Sequence, residues 1–218
     1  MCVVDEMIGR TKEQINELVK EWSNQDWANE YDKGHMVLQK VMTFEELMKR
    51  NPYRFKWVKK KAKGVGAALD VGCHNGFLAC HLTEVGYKVT GIDISSRAIE
   101  EAKKNVPEAE FKLVQMNDPL EFPDESFDCV TALEIIEHVP DLGKFMKEVV
   151  RVCKKGGQLF FTTPVGDNYD CDQHLRYFKF YDLEKALSDA GLTDFKICRI
   201  AKGNGVDGRK LFGVEATK

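Results

Sequence analysis

The chain predicts an α/β fold on a doubly wound, mostly parallel sheet, and three observations carry that expectation. A short apolar run enters a glycine-bracketed turn at Ala68-Leu69-Asp70-Val71-Gly72-Cys73-His74-Asn75-Gly76. A second run, Lys88-Val89-Thr90-Gly91-Ile92, ends on the acid Asp93. Apolar runs then keep alternating with amphipathic stretches, which is how a parallel sheet with right-handed helical crossovers reads.

The elements follow in order. Runs at 67–71, 88–92, 111–115, 127–133 and 157–162 predict buried strands, with helical periodicity near 75–86, 96–105 and 141–153 between them. A further helix from about 181 to 190 stops at Gly191, a C-cap residue. Segments 194–200 and 210–216 flank the glycine-rich stretch Gly203–Gly208 and predict a β-hairpin. Before the first strand, Ile15, Leu18, Val19 and Trp22 recur at helical spacing, as do Phe44, Leu47 and Met48 ahead of Pro52. Residues 1–60 are therefore expected to form an N-terminal helical cap or lid, and 61–218 the main domain. The lysine cluster Lys59-Lys60-Lys61-Ala62-Lys63 marks the join and reads as a solvated helix end, where cations suit the dipole.

Composition sets bounds. A chain of 218 residues can bury a large core without staples. Its formal charge is −3 with both signs interspersed, which argues against a partner held mainly through phosphates and makes nucleic acid the less expected partner. Seven cysteines, at 2, 73, 80, 129, 153, 171 and 198, form no C-x-x-C pair and read as reduced thiols of a cytoplasmic protein. Neither a signal peptide nor an apolar run long enough to span a membrane is legible.

The first turn suits a nucleoside rather than a dinucleotide. A pyrophosphate site wants G-x-G-x-x-G, whereas this loop reads D-V-G-C-H-N-G and carries a carboxylate at its entrance. Glycines 72 and 76 allow a tight turn and close approach, Asp70 suits an ammonium, and Asp93 suits ribose hydroxyls. At 68–76 and 89–93 the chain resembles the class I S-adenosylmethionine-dependent methyltransferases. Phe111–Asp118 is similar to their third strand and adenine loop, and Gly156–Pro164 to their fifth strand. The resemblance, over roughly 53–217, implies a seven-stranded Rossmann-like methyltransferase fold with an antiparallel last strand. It also implies S-adenosylmethionine as cofactor and S-adenosylhomocysteine as product. Candidate cofactor contacts are then Asp70, Gly72, Cys73 and Gly76 toward the methionine end, Asp93 and Ile94 at the ribose, Met116, Asn117 and Asp118 at the adenine, and Leu133 at the end of strand four. Tyr31 and Arg54 are further candidates, Arg54 because a guanidinium pairs with a carboxylate. The aromatic residues Trp22, Trp27, Tyr31, Tyr53, Phe55 and Trp57 either line a substrate pocket or pack the cap on the sheet.

Chemistry is expected outside the carboxyl ends of the strands, where strand four ends in Leu133-Glu134-Ile135-Ile136-Glu137-His138. Turned helically, Glu134, Glu137 and His138 share one face. His174, in the loop after strand five, can join them. Three roles stand open for this set: a divalent metal such as Mg2+ held by Glu134, Glu137, His138 and His174, a general base among the catalytic candidates His138, His174 and Glu134, or a purely structural network. E-x-x-E-H is similar to the O-methyltransferases of ubiquinone biosynthesis and, with a later histidine, to the small-RNA 3′-terminal 2′-O-methyltransferases. Thr163-Pro164-Val165 and the His174-Leu175-Arg176-Tyr177-Phe178 stretch fit the small-molecule branch better. The expectation is O-methylation of a small-molecule acceptor by in-line transfer, with metal-dependent RNA 3′-end methylation as the alternative. From other classes, an NAD-dependent oxidoreductase is opposed by the missing glycine pattern. A non-catalytic binding protein on the same fold is opposed by the intact cofactor residues.

Overall fold

The computed structural model describes residue 26 and residues 43–50, 52–115, 119–166, 174–200 and 210–218. Within them seven strands form one sheet: β1 Gly66–Val71, β2 Tyr87–Asp93, β3 Glu110–Leu113, β4 Phe127–Leu133, β5 Cys153–Pro164, β6 Asp194–Ile200 and β7 Leu211–Thr217. Their order is β3-β2-β1-β4-β5-β7-β6, with β1 to β5 parallel and β7 antiparallel to both β5 and β6. The described helices are α1 Phe44–Arg50, α2 Tyr53–Lys61, α3 Phe77–Val85, α4 Ser96–Asn105, α5 Leu142–Val152 and α6 Phe180–Asp189. The seven-stranded, mostly parallel sheet is the architecture expected from the sequence.

Alternate residues of the central strands face opposite layers. Ala68 and Phe160 lie in a buried cluster with Phe55, Trp57 and Phe77, whereas Leu69 and Phe161 lie in a second with Met146, Val149 and Leu183. α2, α3 and α4 therefore cover one face, and α5 and α6 the other. Edge-on ring contacts lock the first layer, Phe55 to Phe77 at 4.8 Å and Trp57 to Phe160 at 5.7 Å. Phe55 and Trp57 are thus core residues, while Tyr53 is 53% exposed. Trp22, Trp27, Tyr31 and most of the expected cap lie outside the described residues.

Local chemistry sets the helix starts. Ser95 Oγ accepts from Ala98 N at 3.1 Å to open α4, and Asp141 Oδ1 accepts from Lys144 N at 3.0 Å to open α5. α3 instead starts at Gly76 with φ 83° and no side-chain cap. The lysine cluster ends α2, where Lys59 pairs with Glu84 and Lys61 reaches Glu215 at 2.7 Å. β5 begins at Cys153, four residues before the apolar run that predicted it. Lys154 pays for the polar start through Asp128 at 2.9 Å, and Lys218 Nζ donates to Cys153 O at 2.8 Å.

The strand order reverses between β1 and β4, so a crevice opens beyond their carboxyl ends.

Candidate active site

Backbone geometry at the end of β1 shapes the crevice. Gly72 N and Cys73 N both donate to Ile92 O, at 2.8 and 3.0 Å, folding the turn against β2. Gly72 has φ 73°, and a Cβ there would come within 2.1 Å of Ile135 Cδ1, so the turn and the β4 loop meet only through a glycine. Gly76 makes the expected tight turn at φ 83° and also packs closely. A Cβ on it would meet Val106, Phe111 and Ala102 at 3.1–3.3 Å, which makes it a packing glycine between α3 and α4.

Asp70 is 3% exposed. The β1–β4 register sets it opposite Thr131, whose hydroxyl donates to Asp70 Oδ1 at 2.8 Å. Asp70 Oδ2 is buried with no hydrogen-bond partner among the described residues. Burial raises its pKa to about 7, with the Thr131 bond opposing and the charge of Asp93 adding. An orphaned buried carboxylate oxygen fits a cationic ligand. Asp93 accepts from His74 N at 2.9 Å through one oxygen and from Ser95 N at 3.0 Å through the other. Burial pushes its pKa up while those two N–H groups pull it down. Cys73 is buried in the first core layer, and desolvation raises its thiol far above the ordinary value, which disfavours the nucleophilic thiolate.

Beside this turn lies a cavity of about 550 Å³ lined by Val71, Gly72, Ile92, Asp93, Ile94, Val114 and Gln115, then by Pro119 and Leu120, by Ile135, His138, Val139, Pro140 and Asp141, and by Lys144, Phe145, Lys147 and Glu148 of α5. Such a volume suits a nucleoside-sized ligand. Gly72, Asp93, Ile94 and His138 were legible in advance, but the α5 wall was not. Leu133 is half-buried against the first core layer. Met116, Asn117, Asp118 and Tyr31 lie outside the described residues.

The cluster after β4 differs from the expected helical face. Glu134 ends the strand at φ 59°, in the left-handed region, and its Oε1 accepts from Thr162 Oγ1 at 2.8 Å. The chain then makes a tight turn in which His138 N donates to Ile135 O at 2.9 Å. The segment is therefore not helical and Glu134, Glu137 and His138 do not share a helical face, which corrects that expectation. Ligand atoms of Glu137, His138 and His174 lie within 4.8 Å of one another, and Glu134 is outside that group. Glu137 is 1% exposed on its side chain and accepts from Thr163 Oγ1 at 3.0 Å. Its other oxygen has no hydrogen bond among the described residues and lies 3.9 Å from His138 Nε2. Burial, then the charge of Glu134, drives its pKa well up, and Arg54 works against that. The His138 and His174 rings meet edge-on at 4.9 Å, with Tyr177 5.7 Å beyond. Arg54 lies over the Phe55 ring and within electrostatic reach of Glu137, which places it near this cluster. Thr131, Thr162 and Thr163 were missed. Their signal was a hydroxyl near the end of an otherwise apolar strand.

Comparison with known proteins agrees with this fold. The family described as "Methyltransferase domain" matches residues 69–161. A ubiquinone biosynthesis O-methyltransferase of Thiobacillus denitrificans is 38% identical over 125 residues, 55% of this chain and 54% of that protein. The chain spans about half the length of the curated relatives it matches. Among solved structures, a SAM-dependent methyltransferase from Methanosarcina mazei aligns with TM-score 0.56 at 25% identity, over 69% of this chain and 92% of that one. The [4+2]-cyclase SpnF aligns with TM-score 0.70 at 17% identity, over 90% of this chain and 97% of that one, a likeness of fold alone.

Proposed function

We propose that the chain is a class I S-adenosylmethionine-dependent methyltransferase, a reading supported by the methyltransferase-domain match and the curated relatives, and that it methylates a hydroxyl of a small-molecule acceptor. The observation that carries this reading is that His138 lines the same cavity as Gly72 and Asp93. A nitrogen base therefore stands at the end of a nucleoside-sized site. When bound, S-adenosylmethionine supplies a methyl group on a sulfonium, which is electrophilic without further activation. What the chain must do is bind, orient and exclude water.

Asp70 offers its unpartnered oxygen to the methionine ammonium, and Asp93 its remaining lone pairs to the ribose. His138, 16% exposed, takes the acceptor hydroxyl proton on a ring nitrogen as the oxygen–methyl bond forms and the carbon–sulfur bond breaks. The sulfur keeps the electron pair and leaves as a neutral thioether. His174, edge-on at 4.9 Å, and Glu137, with an oxygen 3.9 Å from Nε2, flank the His138 ring. The curated relatives are named as ubiquinone biosynthesis O-methyltransferases, which supports an oxygen acceptor.

A second reading rests on the convergence of Glu137, His138 and His174. Two imidazoles and a carboxylate with one unbonded oxygen suit a divalent cation, which would lower the pKa of an acceptor hydroxyl. Methyl-labelled S-adenosylmethionine offered with panels of phenols, catechols, amines and an RNA 3′ end tests the acceptor class, with and without Mg2+ or Mn2+. Label on phenolic oxygen, lost in His138→Ala, supports the first reading. Turnover that requires metal and falls in Glu137→Gln moves the site to the second. Label on amines or RNA alone sinks both small-molecule oxygen readings.

A further inference from the structure

Glu137 and His138 sit on the turn after β4, while His174 comes from the stretch before α6, so the cluster is assembled from two separate segments. Arg176 joins them. Its Nη1 donates to Ile136 O at 2.9 Å and also to Val139 O, and its Nη2 donates to Pro140 O at 2.9 Å. Three carbonyls of one tight turn thus converge on a single planar fork. Alongside, Leu175 N donates to Glu137 O at 2.9 Å. The far end of the stretch is stitched to the end of β5, where Gly166 N donates to Phe178 O at 2.9 Å and Val165 forms a bridge with Phe178.

We propose that Arg176 is a positioning residue whose guanidinium fork fixes the β4 turn against the 174–178 stretch and so holds the His138 ring edge-on to His174. Without it the carbonyl of Ile136, a fully buried residue, and those of Val139 and Pro140 lose this donor, and the turn keeps only the His138–Ile135 and Leu175–Glu137 backbone bonds and the Thr163 contact. A lysine cannot replace the fork, because one ammonium does not span three carbonyls with planar geometry. The inference rests on the methyl-transfer reading for what the histidine pair is used for. The contact itself does not depend on that reading.

Proton NMR of the imidazole rings tests it without an acceptor. The wild type should show a cross-peak between His138 and His174 ring protons and a slowly exchanging Leu175 amide. In Arg176→Met the cross-peak disappears and that amide exchanges more than about tenfold faster. Arg176→Lys recovers the contact incompletely, and millimolar guanidinium ion restores the cross-peak in Arg176→Ala. A cross-peak that survives in Arg176→Met overturns the proposal. Should the variants fail to fold, the wild-type Arg176 Nη protons decide: slow exchange and hindered rotation support the fork, and a freely rotating guanidinium overturns it. Failure of S-adenosylhomocysteine to bind the wild type would sink the functional reading and leave the ring contact to be judged by its own signal.

Discussion

Asp70 is the residue at which the fold and the proposed ligand would compete most directly. In the ligand-free protein its carboxyl titrates near pH 7 because burial removes water from one oxygen while Thr131 satisfies only the other. The folded pKa lies above the unfolded one, so the stability this group contributes is present below about pH 4 and is lost as the pH rises through about 7. Asp70→Asn is therefore expected to raise the unfolding free energy at pH 8 by up to about 4 kcal/mol, read by urea denaturation. Ligand binding runs the other way. If the anion meets an ammonium, affinity for S-adenosylhomocysteine weakens about tenfold per pH unit below 7 and levels off above it, and calorimetry detects the proton released on binding. A slope that persists in Asp70→Asn assigns it to another group. Glu134 offers a second test at this scale. Its φ of 59° costs a β-carbon residue about 1 kcal/mol or more. Glu134→Ala and Glu134→Gly lose the Thr162 bond equally, but only glycine sheds the strain. The glycine variant should unfold at higher denaturant than the alanine one, and equal midpoints would refute stored strain.

Among the elements, the link from β3 to β4 shows what sequence reading reaches and where it stops. That link supplies Leu120 to the cavity and is clipped onto α5 by one side chain. Arg151 donates to both oxygens of Glu148 at 2.8 Å, to Phe122 O at 2.8 Å, to Asp124 at 2.7 Å and to Leu120 O at 2.9 Å, while Leu120 N donates to Glu148 Oε2 at 2.9 Å. In sequence Arg151 is simply a cation in the last turn of a helix. Most of its partners lie 27–31 residues away, and no local pattern announces them. Arg151→Ala should weaken S-adenosylhomocysteine binding about tenfold by loosening the cavity wall, with Arg151→Lys in between. The measurement is a titration at fixed ionic strength, and unchanged affinity would show that the clip serves stability alone. The same limit explains β5, whose first residues carry Lys154, Lys155 and two glycines. Their strand character depends on Asp128 and Lys218 from elsewhere in the chain.

Across the whole molecule, the central strands were legible because a strand buried on both faces has no choice but an apolar run, and the turn glycines follow from the reversal at the crevice. The position of the site was legible for the same reason, since strand order alone puts it beyond β1 and β4. Of its lining, Gly72, Asp93, Ile94 and His138 were legible, where a turn glycine or a polar residue closes an apolar run or directly follows one. The Thr131, Thr162 and Thr163 hydroxyls, the wall from α5 and the Arg176 fork required the register and the loops. A ligand in this crevice touches the ends of β1 and β2, the β4 turn and α5 together, which span both core layers. Binding should therefore stabilise the entire sheet rather than one loop. At a ligand concentration of about 100 times Kd, linkage contributes about 2.7 kcal/mol, which for a chain of this size raises Tm by about 5–10 °C. S-adenosylhomocysteine is expected to give that shift in a single cooperative transition, Asp93→Ala to lose most of it, and NAD to give none. A comparable shift with NAD would mean that the missing third glycine does not exclude a pyrophosphate, and the nucleoside assignment of the crevice would fall with it.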